Sequence, residues 1–290
     1  MSEIVDIHPH IVSADEARYP VTPIGGKRSD WSHERSITLE QLIESMDEAG
    51  VDKAAVVHSS TTYGFSCEYV SDSVLRHPDR LTGVFSVNVL EPSAPADMKK
   101  WFERGCTGMR IFSRGSTLSG SWLAIDDPRI FPCYEYASEK GISIASNITV
   151  ELFDQLENVL KQFPKVNYVL DHLGRTDFHS DGAPFKAAEP LFRLAKYPNL
   201  YLKVATRNFS EANNGKSTSE TLFKKLTSEF GANRMAWGSN YPASAGTLKE
   251  LLQLAKTGLS SLPQADQDWI LGKTALHLYP VLDKNKAAAA

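Results

Sequence analysis

The chain has 290 residues, 42% hydrophobic and 23% charged, close to ordinary globular domains, which excludes global disorder. Lys and Arg number 31 against 35 Asp and Glu, a formal net charge of -4, so no nucleic-acid partner is expected, since that needs a phosphate-neutralising basic stripe. No apolar run approaches the roughly 18 residues of a membrane span, the N-terminus has no basic region followed by a long apolar core, and the three Cys (Cys67, Cys106, Cys133) are too widely spaced for a CxxC zinc site or a disulfide framework. No membrane partner and a cytoplasmic setting are therefore expected.

Along the chain, short apolar runs alternate with longer amphipathic ones. Strands are predicted at Ile4–His8, Lys53–His58, Leu81–Val87, Gly108–Phe112, Ile142–Ser146, Asn167–His172, Leu200–Thr206 and Met235–Ser239. Helices are predicted between them at Leu39–Ala49, Ala96–Arg104, Phe131–Lys140, Val150–Phe163, Phe185–Ala195, Glu220–Phe230 and Thr247–Ala255. Gly50, Gly105 and Gly141 stand where a left-handed residue ends a helix. Eight strands alternating with helices predict a parallel sheet with crossover connections, covered on both faces. No GxGxxG or GxxxxGK follows the first strand, which disfavours an open nucleotide-binding sheet. The fold class is thus α/β, a single (β/α)8 TIM barrel over residues 1–282, closed by a C-terminal helix at Gln264–Leu278. Residues 283–290, ending in Ala287–Ala290, read as a disordered tail or a cloning remnant.

In such a barrel the chemistry sits at the C-terminal ends of the strands. The first strand ends in DIHPH, and alternation sends His8 and His10 to one side, where two imidazoles can bind a metal or handle protons. His58 ends the second strand, where a lone histidine is more often structural. The fourth gives Arg110, with Arg114 close behind; a guanidinium there either anchors a substrate carboxylate or closes an internal ion pair. Asn147 follows the fifth strand, and charge follows the sixth directly in YVLDHLGR, which singles out His172. At the seventh, alternation is read as turning Lys203 outward and leaving Arg207 at the mouth. The eighth ends in AWGSNYP, with Asn240 at the rim. Tyr63 and Trp237 are candidates for an aromatic wall, with ordinary packing the alternative, and the loop Tyr19–Glu34, carrying Trp31, is expected to cover the mouth.

DIHPH, YVLDHLGR, AWGSNYP and the TALHLY ending, in this order from Asp6 to about Pro280, resemble the amidohydrolase superfamily, in particular its amidohydrolase 2 branch. That branch includes lactonases acting on 2-pyrone-4,6-dicarboxylate and on sulfomuconolactone, and also metal-dependent decarboxylases. The resemblance implies a barrel with its chemistry among His8, His10, His172 and Asn240. Zinc-dependent members carry a His after strand five and an Asp after strand eight, where this chain has Asn147 and Asn240. A divalent ion would be left with His8 and His10, fewer than the three protein ligands usual for catalytic zinc, so no cofactor is predicted and only weak zinc binding stays open. Asn240 cannot take a proton, so the base has moved, or Asn240 orients substrate in another reaction, or it replaces a natural Asp.

The expected activity is hydrolysis of a small carboxylated or sulfonated lactone. Arg110, Arg114 and Arg207 would hold the anionic group, His8 and His10 would polarise the carbonyl, and His172 would act as base or acid with a pKa near neutrality. Decarboxylation of an aromatic or unsaturated acid, and a non-catalytic barrel binding a small acid, are the alternatives. The partner expected is a small anionic molecule, and the resemblance also allows a homo-oligomer.

Overall fold

A computed structural model of the chain describes residues 2–114, 117–118, 120 and 122–283; the predicted tail beyond Asp283 lies outside the described residues. Eight strands run in sequence order: β1 (Val5–Asp6), β2 (Lys53–Val57), β3 (Leu81–Phe85), β4 (Gly108–Ile111), β5 (Ser143–Ser146), β6 (Tyr168–Leu170), β7 (Leu200–Ala205) and β8 (Met235–Gly238). Each pairs in parallel with the next, and the Ile7 amide donating to the Trp237 carbonyl at 3.2 Å joins the first strand to the last. This is the predicted (β/α)8 barrel.

Alternation along the strands sorts the apolar side chains into two layers. Ala54, Val56, Leu202, Val204, Met235 and Trp237 face out, packing in one cluster with Leu42, Met46, Leu156 and Leu226 of the surrounding helices. Ala55, Val57, Val169, Tyr201 and Ala236 face in, with Val5, Ile7, Val84 and Ala145. The end of the chain plugs this interior from below: Ala275, Leu278 and Tyr279 join the inner cluster, and Ser143 at the start of β5 donates to the Leu278 carbonyl at 2.8 Å. Gly108 must lack a side chain here, because a Cβ would lie 2.7 Å from the Tyr279 ring.

The helices Leu39–Ala49 and Phe131–Lys140 have the predicted bounds, each ending on a left-handed glycine, Gly50 or Gly141. The predicted helix Phe185–Ala195 is instead three short turns, Lys186–Ala188, Glu189–Phe192 and Arg193–Lys196; Pro190 has no amide to continue a helix through the middle. The closing helix is interrupted by a π-turn at Trp269–Lys273, where Gly272 lies so close to the Glu3 carbonyl that a Cβ would meet it at 1.9 Å. The helix Glu68–Arg76 is not among those predicted; its Ser71 and Ser73 are buried. Among the described residues, no helix is long and apolar enough to cross a membrane. All three cysteines are buried and free.

Candidate active site

The C-terminal ends of the strands open into a cavity of about 250 Å³ lined by His8, His10, His58, Arg110, Arg114, Asn147, His172 and Asn240, all named from the sequence. Trp31 and Arg175 line it too. A smaller cleft beside it, about 130 Å³, is bounded by His172, Arg175, Arg207 and Asn240, so Arg207 stands at the mouth, half-exposed and paired with Glu211 at 2.9 Å. Tyr63 and Trp237 do not line the cavity. The Tyr63 hydroxyl accepts from the Ser13 amide at 2.7 Å, and Trp237 lies wholly buried on the outer face of β8.

Three imidazoles meet at the centre. The His8 ring is 4.9 Å from His10, edge-on, and stacked 5.2 Å from His172. His10 Nδ1 lies 2.8 Å from the Val57 carbonyl. A carbonyl can only accept, so Nδ1 carries the proton and Nε2 is left as an acceptor. Both nitrogens of His8, and Nδ1 of His172, are buried without a hydrogen-bond partner. His58 is tied by Nε2 to the Gly64 carbonyl at 2.9 Å, so its ring is held by structure as well as facing the cavity. Burial keeps all four rings neutral: His10 is held at about 3, His58 and His172 at about 4, and His8 well below its ordinary value, with the charges of Arg110 or Lys203 adding to the effect. The near-neutral value expected for His172 is thus corrected downward; its resting state is an unprotonated base.

Beneath the rings lies a buried charge cluster. Asp171 is fully buried, with Oδ2 2.9 Å from Arg110 Nε and Oδ1 2.8 Å from Lys203 Nζ. Lys203 therefore points into the barrel, with its neighbour Tyr201, and not outward as the alternation had been read. Although burial alone would raise it, the Lys203 ammonium and Arg110 guanidinium hold the Asp171 carboxyl well below the usual carboxylate range. Of the two readings of Arg110, the internal ion pair is formed, through its Nε, and the side chain also borders the cavity.

Local backbone geometry places these groups. After β6 the chain makes a left-handed turn, with His172, Leu173, Gly174 and Arg175 at φ of 54°, 55°, 62° and 53°. That puts His172 and Arg175 on one wall, and Asn147 Oδ1 accepts from Arg175 Nε at 3.4 Å. Asp6 clamps strand one to strand eight by accepting from the Ser239 amide at 2.8 Å and the His8 amide at 2.9 Å. Gly238 lets the two strands approach, since a Cβ there would sit 2.7 Å from His8 Cβ. Asn240 has φ 56° and donates from Nδ2 to Ser244 Oγ at 3.1 Å. The covering loop is pinned by the Thr22, Ile24 and Ser29 amides, which donate to carbonyls of Ser60–Thr62, and this sets Trp31 5.1 Å from the His10 ring. Arg175 and Trp31 were visible in the sequence, in YVLDHLGR and in the covering loop, but only the fold assigns them to the cavity.

The family model described as Amidohydrolase matches residues 5–281. Solved structures share the fold. A protein from Acinetobacter baumannii, described as a probable 2-pyrone-4,6-dicarboxylic acid hydrolase with citric acid bound, is 17% identical over 96% of this chain and 99% of its own, with a TM-score of 0.76. An amidohydrolase from Burkholderia multivorans with bound zinc is 15% identical over 96% and 99%, with a TM-score of 0.74. A 2,6-dihydroxybenzoate decarboxylase from Rhizobium is 13% identical over 97% and 99%, with a TM-score of 0.70. No curated protein matches the chain.

Among the described residues, His8, Asp171 and His172 each bring a ligand atom within 4.8 Å of one another, so a metal would be sought there rather than at His8 and His10 alone. The donors fit a divalent ion poorly. Both oxygens of Asp171 already face cations, and Asn240 brings no charge.

Proposed function

The chain belongs to the amidohydrolase family, and on that footing we propose that it hydrolyses a small carboxylated or sulfonated lactone without a metal ion. The observation that carries this reading is the meeting of three neutral imidazoles with Arg110, Arg114 and Arg175 around one cavity. Guanidinium groups suit a planar anionic group through paired hydrogen bonds. The citric acid in the Acinetobacter baumannii structure supports an anionic ligand for this architecture.

The three rings take different roles in this reading. His10 has no free N–H in its neutral form, so carbonyl polarisation falls to His8, whose ring nitrogens have no other partner. His172, unprotonated, takes the proton of the attacking water and later returns it to the leaving oxygen. His10 Nε2 and Asn240 orient the water. Arg207 guards the entrance. Decarboxylation of an aromatic acid is the second reading, favoured by the likeness to the Rhizobium enzyme, and it would use the same arginines.

A panel of carboxylated and sulfonated lactones and aromatic acids, assayed before and after chelation, tests the proposal. Lactone opening should survive chelation, and His172→Ala should lower kcat by about 10²–10⁴-fold. Activity lost on chelation and restored by zinc, or release of carbon dioxide without lactone opening, would overturn it.

A further inference from the structure

The geometry points to Lys203 as a built-in cation that stands in for a divalent metal beneath the imidazoles and keeps one out. This rests on the metal-independent reading above and supplies its cause. His8, Asp171 and His172 are the group among the described residues that converges like a metal site, and Asp171 is its one carboxylate. That carboxylate is fully buried and spent: Lys203 Nζ lies 2.8 Å from Oδ1 and Arg110 Nε 2.9 Å from Oδ2. The Lys203 stem packs at Gly238, where a Cβ would be 3.4 Å from Lys203 Cγ and Cδ and 2.7 Å from His8 Cβ, so ammonium and imidazole share one small space.

The charges settle the matter. Two cations, Arg110 and Lys203, take up both oxygens of Asp171, the one carboxylate that converges with His8 and His172. Asp6, the buried carboxylate of strand one, is occupied by the Ser239 hydroxyl and by the Ser239 and His8 amides, so it is not free to bind an ion. A dication entering would have to displace a buried ammonium from its carboxylate, which leaves a charge unpaired in the interior. Removing only the ammonium leaves Arg110 on Oδ2 of Asp171 and frees Oδ1 beside His8 and His172. Lys203→Met should therefore create a zinc site, whereas Lys203→Arg should not.

The experiment is zinc binding, by isothermal titration of zinc chloride and by metal content after dialysis, for wild type, Lys203→Met, Lys203→Gln and Lys203→Arg. Wild type and Lys203→Arg should retain little zinc. The two neutral variants should hold about one ion per chain, at least about 100-fold tighter than wild type. The glutamine variant serves where methionine impairs folding, with circular dichroism melts to establish the folded state. If folded neutral variants bind zinc no better than wild type, the role of Lys203 falls while metal-free hydrolysis stands. If wild type itself binds one zinc tightly, with the His8 and His172 ring nitrogens shifting in NMR spectra, both readings fall.

Discussion

What a histidine can do in this cavity depends on its second nitrogen. His10 spends its N–H on the Val57 carbonyl and offers only a lone pair, whereas His8 has no such commitment. The two rings are two residues apart in DIHPH, and the sequence made them equivalent. Alternation revealed that they share a side but said nothing of which carbonyl lies behind each. His10→Asn separates the two functions, because its amide can still reach toward the Val57 carbonyl while Nε2 is lost. We expect a folded protein whose kcat falls about 10–100-fold, the scale of one lost hydrogen bond to a reacting group, measured on the lactone that wild type opens. Asn240→Asp tests the neighbouring assignment. With His172 as the base, the change should move kcat by less than about tenfold; a gain of several orders of magnitude would return the base to position 240.

The turn Asp171–Arg175 is the element on which the site depends. Left-handed conformation costs an ordinary residue about 1–2 kcal/mol, and His172, Leu173 and Arg175 all adopt it. Packing holds them there. Leu173 is fully buried, the Thr176 hydroxyl donates to the Leu173 carbonyl at 2.7 Å, and Gly174 lies against Phe153 so closely that a Cβ would be 2.4 Å from Cζ. Gly174→Ala should destabilise the protein by about 1–3 kcal/mol through overpacking and should weaken binding of anionic ligands by displacing His172 and Arg175. Phe153→Leu should recover part of both losses in the double variant, read from urea unfolding and ligand titration; additive effects would show that the contact is not the cause. The predicted strand ran through His172, two residues beyond the apolar run YVL. Pairing stops at Leu170; Asp171 and Gly174 are turn-favouring types, but Leu173 and Arg175 give no sign in sequence of the left-handed conformation they adopt. Lys203 escaped for a related reason. Its parity on β7 was clear, but the face that parity selects depends on where the barrel axis lies, and a lysine is ordinarily assigned to solvent.

The barrel as a whole was legible because its pattern is repeated: eight apolar runs, spaced for crossover helices, leave little choice of topology, and short-range ambiguities cancel over 290 residues. What the repeat conceals is that the interior is charged and that imidazoles were enclosed to make the site. This has a consequence for stability. His8, His10, His58 and His172 are all held below the ordinary histidine value of about 6.5, the last three at about 3, 4 and 4. As pH falls from 6.5 toward 4, the unfolded chain takes up protons on these rings and the folded chain does not, so folding stability declines with acid. Asp6 acts in the opposite sense. Burial raises it to about 6, against opposing hydrogen bonds from Ser239, so near pH 5 the folded state holds a proton there that the unfolded state has released. Asp171, held low, contributes its own loss only as pH falls below the ordinary carboxylate value. Near pH 5, four imidazoles take up protons on unfolding and Asp6 gives one back, a net uptake of about three protons, or roughly 4 kcal/mol per pH unit. A typical folding stability of about 5–15 kcal/mol would be largely lost within a few pH units at that slope. Urea unfolding at pH 7, 6 and 5 should show a steep fall, and His58→Gln, which removes one enclosed imidazole without touching the central three, should lower the slope by about one proton. A stability that stays level from pH 7 to 5 would mean that the rings are not enclosed and neutral, and the division of labour among His8, His10 and His172 would fail with it.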